Sequence, residues 1–327
     1  KISKNEFWPC KKIKLYSKQE DETMSEIFEF NEKNNVFYMM KNSNIIEKII
    51  KSIKKSKTIV LKNNINISQI INSGLLKKVR FNGNESSKYN LVIICAGREN
   101  NLVKDAFNDQ VVKHNYNETS VTTILKHKKI SNNIARQFFF NNEILAFLPI
   151  SNRETSIVWY IKKKYFSKYI SKNNVFFKKK IQSYTNKYLG KIKFSKKIEF
   201  KNLNLLIRKK YFKNRILLFG DVIHAVHPLA GQGFNMTIRD LISLEKILKN
   251  KIDLGLDIGS SDILMEFSNE NKPKNLVYSL GIDLVKNLFS KDNQSVKNLR
   301  NTILKKLNNN SLAKDLFSNL ADKGLRL

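Results

Sequence analysis

The stretch "RILLFGDVIHAVHPLAGQGFNMTIRDL", Arg215 to Leu241, holds three of the chain's eleven glycines, one of its four prolines and two of its four histidines. Ile216 to Phe219 reads as a strand that ends at Gly220-Asp221. A Gly-rich turn follows, then a helix that begins near Gly233 or Phe234 and carries Phe234, Ile238, Leu241, Leu244 and Leu248 on neighbouring turns. An Asp at the carboxyl end of a parallel strand lies where open α/β sheets bind ligands, and its carboxylate accepts hydrogen bonds from hydroxyls on a polyol chain. Gly231-Gln232-Gly233 lets the backbone approach a flat ligand without Cβ interference and can take positive φ. The helix start adds unpaired N–H groups and the positive end of a dipole, which favours an anion. The stretch therefore suits a ligand with a hydroxylated chain and a planar head that becomes negative.

Working outward, 327 residues with 41% hydrophobic content make a folded protein of two domains, or of one large domain with an insertion. The formal charge is +32, but nine of the 60 basic residues are Arg and the rest are Lys, scattered along the chain. Scattered Lys reads as compositional bias with weak attraction to anionic lipid, and no nucleic-acid partner is expected. Cys10 and Cys95 fit neither a disulfide framework nor a metal-ligand spacing, which points to a reducing compartment, the cytoplasm. No run approaches the ~18 apolar residues of a membrane span. Starting at Lys1, the sequence is expected to lack an N-terminal portion.

Residues 11 to 40 alternate as a small antiparallel sheet would, and Ile45, Ile46, Ile49, Ile50 and Ile53 form one helical stripe. Leu91 to Cys95 is a continuous apolar run that suits a strand buried on both faces. From about Val121 to Ile161, "TSVTTILKHKKI", "IARQFFF", "ILAFLPIS" and "TSIVWYI" predict a second, inserted sheet. Lys162 to Phe194 reads as largely helical, and beyond residue 260 helices are expected with breaks at Lys272-Pro273 and "LNNNS".

The opening stretch resembles, nearly position for position, the second flavin motif of the FAD-dependent aromatic hydroxylases. Its pattern is similar to GDAAHxxHPLAGQGxNxGxxD, found in the branch that hydroxylates the ring of ubiquinone precursors. "IARQFFFNNEILAFLPISNRETSIVW", "YSLGIDLVKNLFS" and "FWPCKKIKLYS" resemble further segments of that family. The resemblance implies an α/β fold similar to p-hydroxybenzoate hydroxylase. A Rossmann-like FAD-binding domain, expected without its first βαβ unit, would carry an inserted antiparallel β-sheet substrate domain and C-terminal helices. It places substrate-domain strands at 1–34, the FAD-binding domain at 35–108 and 204–265, the substrate domain at 109–203 and the helical region at 266–327.

By motif, the resemblance assigns Asp221 to the ribityl hydroxyls and Pro228 to the flavin ring edge. It lays Gly231, Gln232, Gly233, Phe234 and Asn235 along the pyrimidine side, chiefly through backbone N–H groups. The implied cofactors are FAD and, as electron donor, NAD(P)H. The implied reaction is hydroxylation of a polyprenylated phenol with O2 through a flavin C4a-hydroperoxide, with no catalytic side chain assigned. Such a substrate implies a peripheral seat at the inner face of the membrane, and a ubiquinone-biosynthesis complex is a further implied partner. Two departures stand out: no G-x-G-x-x-G occurs, and Ala96 in Cys95-Ala96-Gly97 stands where the family has Asp. Two other readings stay open, a flavin hydroxylase of a soluble phenolic acid and a non-catalytic member that scaffolds a complex.

Among the remaining residues, His224 and His227 read as structural in the turn, with no metal expected. Cys95 reads as a buried small hydrophobe. Of Phe138, Phe139, Phe140, Phe147 and Trp159, strand alternation lets at most about half line a substrate pocket. Arg136 and Arg153 read as solvated surface ahead of substrate grips.

Overall fold

The computed structural model describes residues 6–18, 23–31, 35–81, 85–97, 100–107, 111–140, 142–170, 173–290 and 300–303. In chain order the elements begin with strands β1 (Trp8–Cys10), β2 (Lys12–Lys18), β3 (Met24–Asn31) and β4 (Phe37–Met39), then helix α1 (Asn42–Lys55). Strands β5 (Ile67–Ser73), β6 (Leu76–Phe81), β7 (Glu85–Tyr89) and β8 (Val92–Ile94) follow, then α2 (Asn101–Phe107). Next, β9 (Val111–His127), β10 (Ile134–Phe139), β11 (Glu143–Ser151) and β12 (Glu154–Lys162) lead into α3 (Lys163–Ile170) and α4 (Asn173–Leu189). Strands β13 (Ile192–Phe194), β14 (Glu199–Arg208), β15 (Phe212–Lys213), β16 (Ile216–Leu218) and β17 (His224–Ala225) precede α5 (Gln232–Asp253) and α6 (Ser261–Ser290). The chain divides into two units, Lys1–Leu61 with Asn117–Leu203 and Asn287–Lys323, and Lys62–Tyr116 with Asn204–Lys286 and Gly324–Leu327.

The first unit is built on a broad sheet ordered β14-β9-β12-β11-β10-β2-β3, with β13 also on β9. Its pairs are antiparallel from β9 through β12 and β11 to β10, whereas β10 and β2 run parallel. The predicted strands of this region form as read, although β9 begins ten residues before Val121, at Val111. Alternation sends Val121, Phe138, Leu145, Phe147, Ile157 and Trp159 to one face, where they pack with Phe177 and Ile181 of α4. Each such side chain contributes roughly 1.5–3 kcal/mol through burial. At the start of β11, the largely buried Glu143 accepts from Trp159 Nε1 (3.1 Å), Tyr184 (3.2 Å), Tyr169 and Lys180 Nζ (2.9 Å). A buried carboxylate needs such company, since an unpaired one costs several kcal/mol.

In the second unit, β5-β6-β7 form an antiparallel sheet and β15-β16-β8 a second one, in which β16 and β8 are parallel. Leu217, Leu218 and Phe219 pack there with Leu244 and Ile247 of α5 and Leu264 and Phe267 of α6. The β15–β16 turn is Asn214-Arg215, both at positive φ (43° and 63°), the backbone of a tight two-residue hairpin. Arg215 is held in that uncommon conformation by Asp257, with Nη1 2.8 Å from Oδ1, and by the Asn90 carbonyl at 3.1 Å. The guanidinium, and after it the Gly259 amide, hold the Asp257 carboxyl below its ordinary range.

Several expectations are corrected. Leu91 to Cys95 is not buried on both faces: Ile93 is 41% exposed and Cys95 is exposed, because β8 pairs only with β16 among the described residues. Helix α5 is present, with Leu244 buried and Leu248 partly buried against the core as expected, but the rest of its buried side is Met236, Asp240 and Ile247. Phe234, Ile238 and Leu241 lie exposed, since apolar residues stand on more than one side and the core takes the side facing Phe267. The isoleucine stripe forms on α1, yet none of its residues is buried. Pro273 does not interrupt the chain: α6 runs through it. A proline inside a helix costs ~3 kcal/mol, but here Asn271 is tied to Ser243 Oγ (2.8 Å) and Asn275 to Asp240 on either side of it. "LNNNS" lies outside the described residues.

A Cβ at Gly259 would stand 2.0 Å from the Asn90 carbonyl oxygen and 2.5 Å from Arg215 Nη1, whereas one at Gly281 in α6 would meet nothing within 4 Å. Gly259→Ala is therefore expected to lose about 3 kcal/mol of stability in urea unfolding. Gly281→Ala should gain ~0.5–1 kcal/mol.

Candidate functional site

The second unit brings the residues of the opening stretch to the carboxyl end of β16. The chain leaves β16 through Phe219, whose N–H bonds the Ile94 carbonyl (3.0 Å), and turns at Gly220 with φ 76°. Asp221 lies in the single 3-10 turn Gly220–Val222, exposed between buried neighbours. No hydrogen bond or ion pair engages its carboxylate among the described residues. The turn itself is fixed from below: the buried Arg208 donates through Nε to the Val222 carbonyl (3.0 Å), and its amide bonds that of Ile223 (2.8 Å).

Past His224–Ala225 the chain makes a second 3-10 turn, Leu229–Gly231, introduced by the half-buried Pro228. Gly231 then adopts the left-handed conformation (φ 66°, ψ 22°) and α5 starts directly at Gln232. The helix thus begins at Gln232, one or two residues before the expected Gly233 or Phe234, and of the two glycines only Gly231 uses positive φ. A helix leaves the amides of its cap and first three residues without intrahelical partners. Gly231 N–H is taken by the Pro228 carbonyl at 3.0 Å, and no side chain among the described residues caps the helix. By helix geometry the amides of Gln232, Gly233 and Phe234 have no partner further up the helix and stand at the positive end of the dipole. Asn235, by helix geometry, is the first whose amide finds a partner within the helix. Phe234 and Asn235 are exposed, Gln232 and Gly233 half-buried.

Behind the loop sits a buried polar chain. His224 Nε2 is 2.8 Å from Asp240 Oδ2, and Asn275 Nδ2 donates to both Asp240 oxygens at 3.1 Å. Asn275 also reaches the Tyr211 hydroxyl at 3.4 Å, and burial raises the Tyr211 phenol above its ordinary range. The tautomer with hydrogen on Nε2 donates to Asp240 and leaves His224 Nδ1 a buried acceptor without a partner among the described residues. His227 Nδ1 accepts from the Leu229 amide (3.2 Å), and its ring meets Tyr116 edge-on at 5.1 Å. Tyr116 donates in turn to Asp283, within "YSLGIDLVKNLFS". Both histidines are thus structural parts of the turn, as read.

The sequence reading passed over Arg208, Asp240, Asn275 and Tyr116. One signal was present: Asp240 interrupts the apolar row Met236, Leu244, Ile247 at helical spacing, where a charge needs a partner. Ala96 is half-buried against the core of this unit. In the first unit, Phe138, Phe147 and Trp159 are core, and Phe139 stacks on Phe289 at 3.8 Å. Phe140 lines an open cleft of about 240 Å³ with Tyr165, Tyr169 and Tyr184. Arg136 is not solvated surface: its Nε is buried, and its guanidinium stands 5.0 Å over Tyr188. Arg153 is exposed in the β11–β12 turn.

Residues 80–270 match the sequence profile described as the FAD binding domain. The chain is 27% identical over 267 residues to the mitochondrial ubiquinone biosynthesis monooxygenase COQ6 of Xenopus tropicalis, covering 71% of this chain and 57% of that one. It is 27% identical over 178 residues to the ubiquinone hydroxylase UbiL of Rhodospirillum rubrum, covering 54% and 41%. The chain thus spans about half the length of these relatives. The crystal structure of p-nitrophenol 4-monooxygenase PnpA from Pseudomonas putida superposes with a TM-score of 0.78 at 12% identity, covering 98% of this chain and 84% of that one. That likeness is one of fold.

Asp240→Ala strands two buried donors, His224 Nε2 and Asn275 Nδ2, and is expected to cost about 3 kcal/mol in denaturant unfolding. Asp221→Ala, on the exposed turn, should change stability by less than ~0.5 kcal/mol.

Proposed function

This chain belongs to the FAD binding domain family, and we propose that it holds FAD at the Gly220–Asn235 loop and serves ring hydroxylation of a polyprenylated ubiquinone precursor. The observation that carries the reading is the uncapped start of α5: three amides behind a left-handed Gly231, one short loop from an exposed, unengaged Asp221. Asp221 would accept from the ribityl hydroxyls. The Gln232, Gly233 and Phe234 amides would meet the pyrimidine side, where negative charge on the ring is stabilised by hydrogen bonds and the helix dipole. Pro228 would border the ring edge. Gly231 and Asn235 would act through backbone shape and side chain, their own amides being spent within the loop and helix. When bound, FAD supplies the redox chemistry that activates O2, with NAD(P)H as the electron source. The protein's part is to orient the ring and exclude water.

The substrate class is taken from the relatives named as ubiquinone biosynthesis monooxygenase and ubiquinone hydroxylase. A soluble phenolic acid is the alternative substrate, to be separated by which compound is hydroxylated. Ala96, in place of the Asp of the resembled pattern, favours a second reading, a non-catalytic member that scaffolds a biosynthetic complex. Such a member would bind FAD without NAD(P)H-dependent bleaching.

The full natural protein should purify yellow, with flavin absorbance bands that bleach on NAD(P)H addition. Asp221→Ala should weaken FAD binding about tenfold or more, as loss of charge-assisted hydrogen bonds predicts, while leaving the fold intact. A colourless protein that takes up no added FAD defeats the proposal. No described helix is long and apolar enough to cross a membrane. The lysine excess supports a peripheral seat at the inner face of the membrane for a bilayer substrate. Co-sedimentation with anionic vesicles at low salt, weakening as salt rises, is expected, and no binding at low salt rejects that seat.

A further inference from the structure

Gln232 opens α5, and Arg239 lies two turns along the same helix. Arg239 Nη2 donates to Gln232 Oε1 at 3.3 Å, and its guanidinium carbon stands 4.1 Å over the ring of Tyr278 in α6. Arg239 Nη1 is buried with no hydrogen-bond partner among the described residues. A guanidinium carries donors only, so the group that faces it must be an acceptor. The Gln232 amide therefore turns its oxygen to Arg239 and keeps both N–H donors for something else. Stacking on Tyr278 restrains the guanidinium plane, which a free Arg on a helix surface would not have.

We propose that Arg239 is a positioning residue that sets the Gln232 side chain as a hydrogen-bond donor, so that the head of α5 selects a ligand edge bearing acceptors. The carbonyl-bearing pyrimidine edge of a flavin is such an edge, and the same site would discriminate against one that offers donors there. This inference rests on the FAD reading of the loop and adds a side-chain specificity to its backbone amides. The physical consequence is a coupling. Gln232 free of Arg239 can rotate its amide and present an oxygen, whereas Arg239 without Gln232 has nothing to orient.

The test is FAD titration of the full natural protein, its Arg239→Met, Gln232→Ala and double variants, and Gln232→Glu, with thermal unfolding of each apoprotein. Arg239→Met and Gln232→Ala should each weaken FAD about tenfold, and the double variant should be no weaker than the poorer single one. Gln232→Glu should unfold at or above the parent temperature, because its carboxylate pairs with Arg239, yet bind FAD about tenfold more weakly because it offers no donor. A Gln232 side chain that donates nothing to the ligand predicts unchanged FAD affinity for this variant, and that result overturns the inference. Multiplying effects in the double variant, or full FAD affinity in Arg239→Met, also overturn it. Should Arg239→Met fail to fold, Arg239→Lys keeps the charge and stem while losing the planar fork, and the same affinity loss is expected. Failure of the unmodified protein to bind FAD removes the functional reading itself, and this inference with it.

Discussion

Asp240 lies 1% exposed on α5, and a carboxylate so deep in a protein must be met by donors. It is met by His224 from the strand that enters the loop and by Asn275 from α6. Those contacts bind three separate elements to one point, and the loop between them inherits its course. With His224 fixed at one end and α5 at the other, the intervening residues must turn back within a few positions. They do so through the 3-10 turn at Leu229–Gly231 and the left-handed Gly231. The uncapped amides at the head of α5 follow from that constraint, and the proposed chemistry follows from the amides.

The first unit uses the same device in a different setting. Glu143, buried at the start of β11, gathers Trp159 from β12, Tyr169 from α3 and Lys180 and Tyr184 from α4. The ammonium of Lys180 also stands 4.0 Å over the Tyr169 ring and 5.2 Å from that of Trp159. The sheet and its covering helices are thereby locked in register by polar contacts as well as by the aromatic core. In both units a single acidic residue inside an apolar layer decides which elements meet, while the apolar side chains supply most of the stabilisation.

Much of this was legible beforehand. Strand alternation from Thr119 to Ile161 marked the inserted sheet, because a half-buried strand writes its two faces into every second residue. Ile216 to Phe219, Gly220-Asp221 and the glycines that follow marked a strand, a turn and a helix start, because few residues other than Gly accept positive φ. What failed did so for identifiable reasons. The apolar run at Leu91 to Cys95 cannot tell whether a neighbour covers its second face, and Ile93 stayed exposed. Pro273 broke a local rule that contacts at Ser243 and Asp240 overrode. In α5 the row Phe234, Ile238, Leu241, Leu244, Leu248 holds only in its second half: Leu244 and Leu248 pack in the core with Met236 and Ile247, while Phe234, Ile238 and Leu241 are exposed.

By itself the sequence determined the local grammar: where strands and helices fall, where glycine permits a left-handed turn, and which stretch is shaped for a ligand. These properties depend on neighbours along the chain. Only the tertiary structure decided that Asp240 joins His224 to Asn275, that Tyr116 meets the ring of His227, and that Arg239 lies over Tyr278. Those pairings join residues whose separation in sequence carries no period, and only folding brings their donors and acceptors within reach.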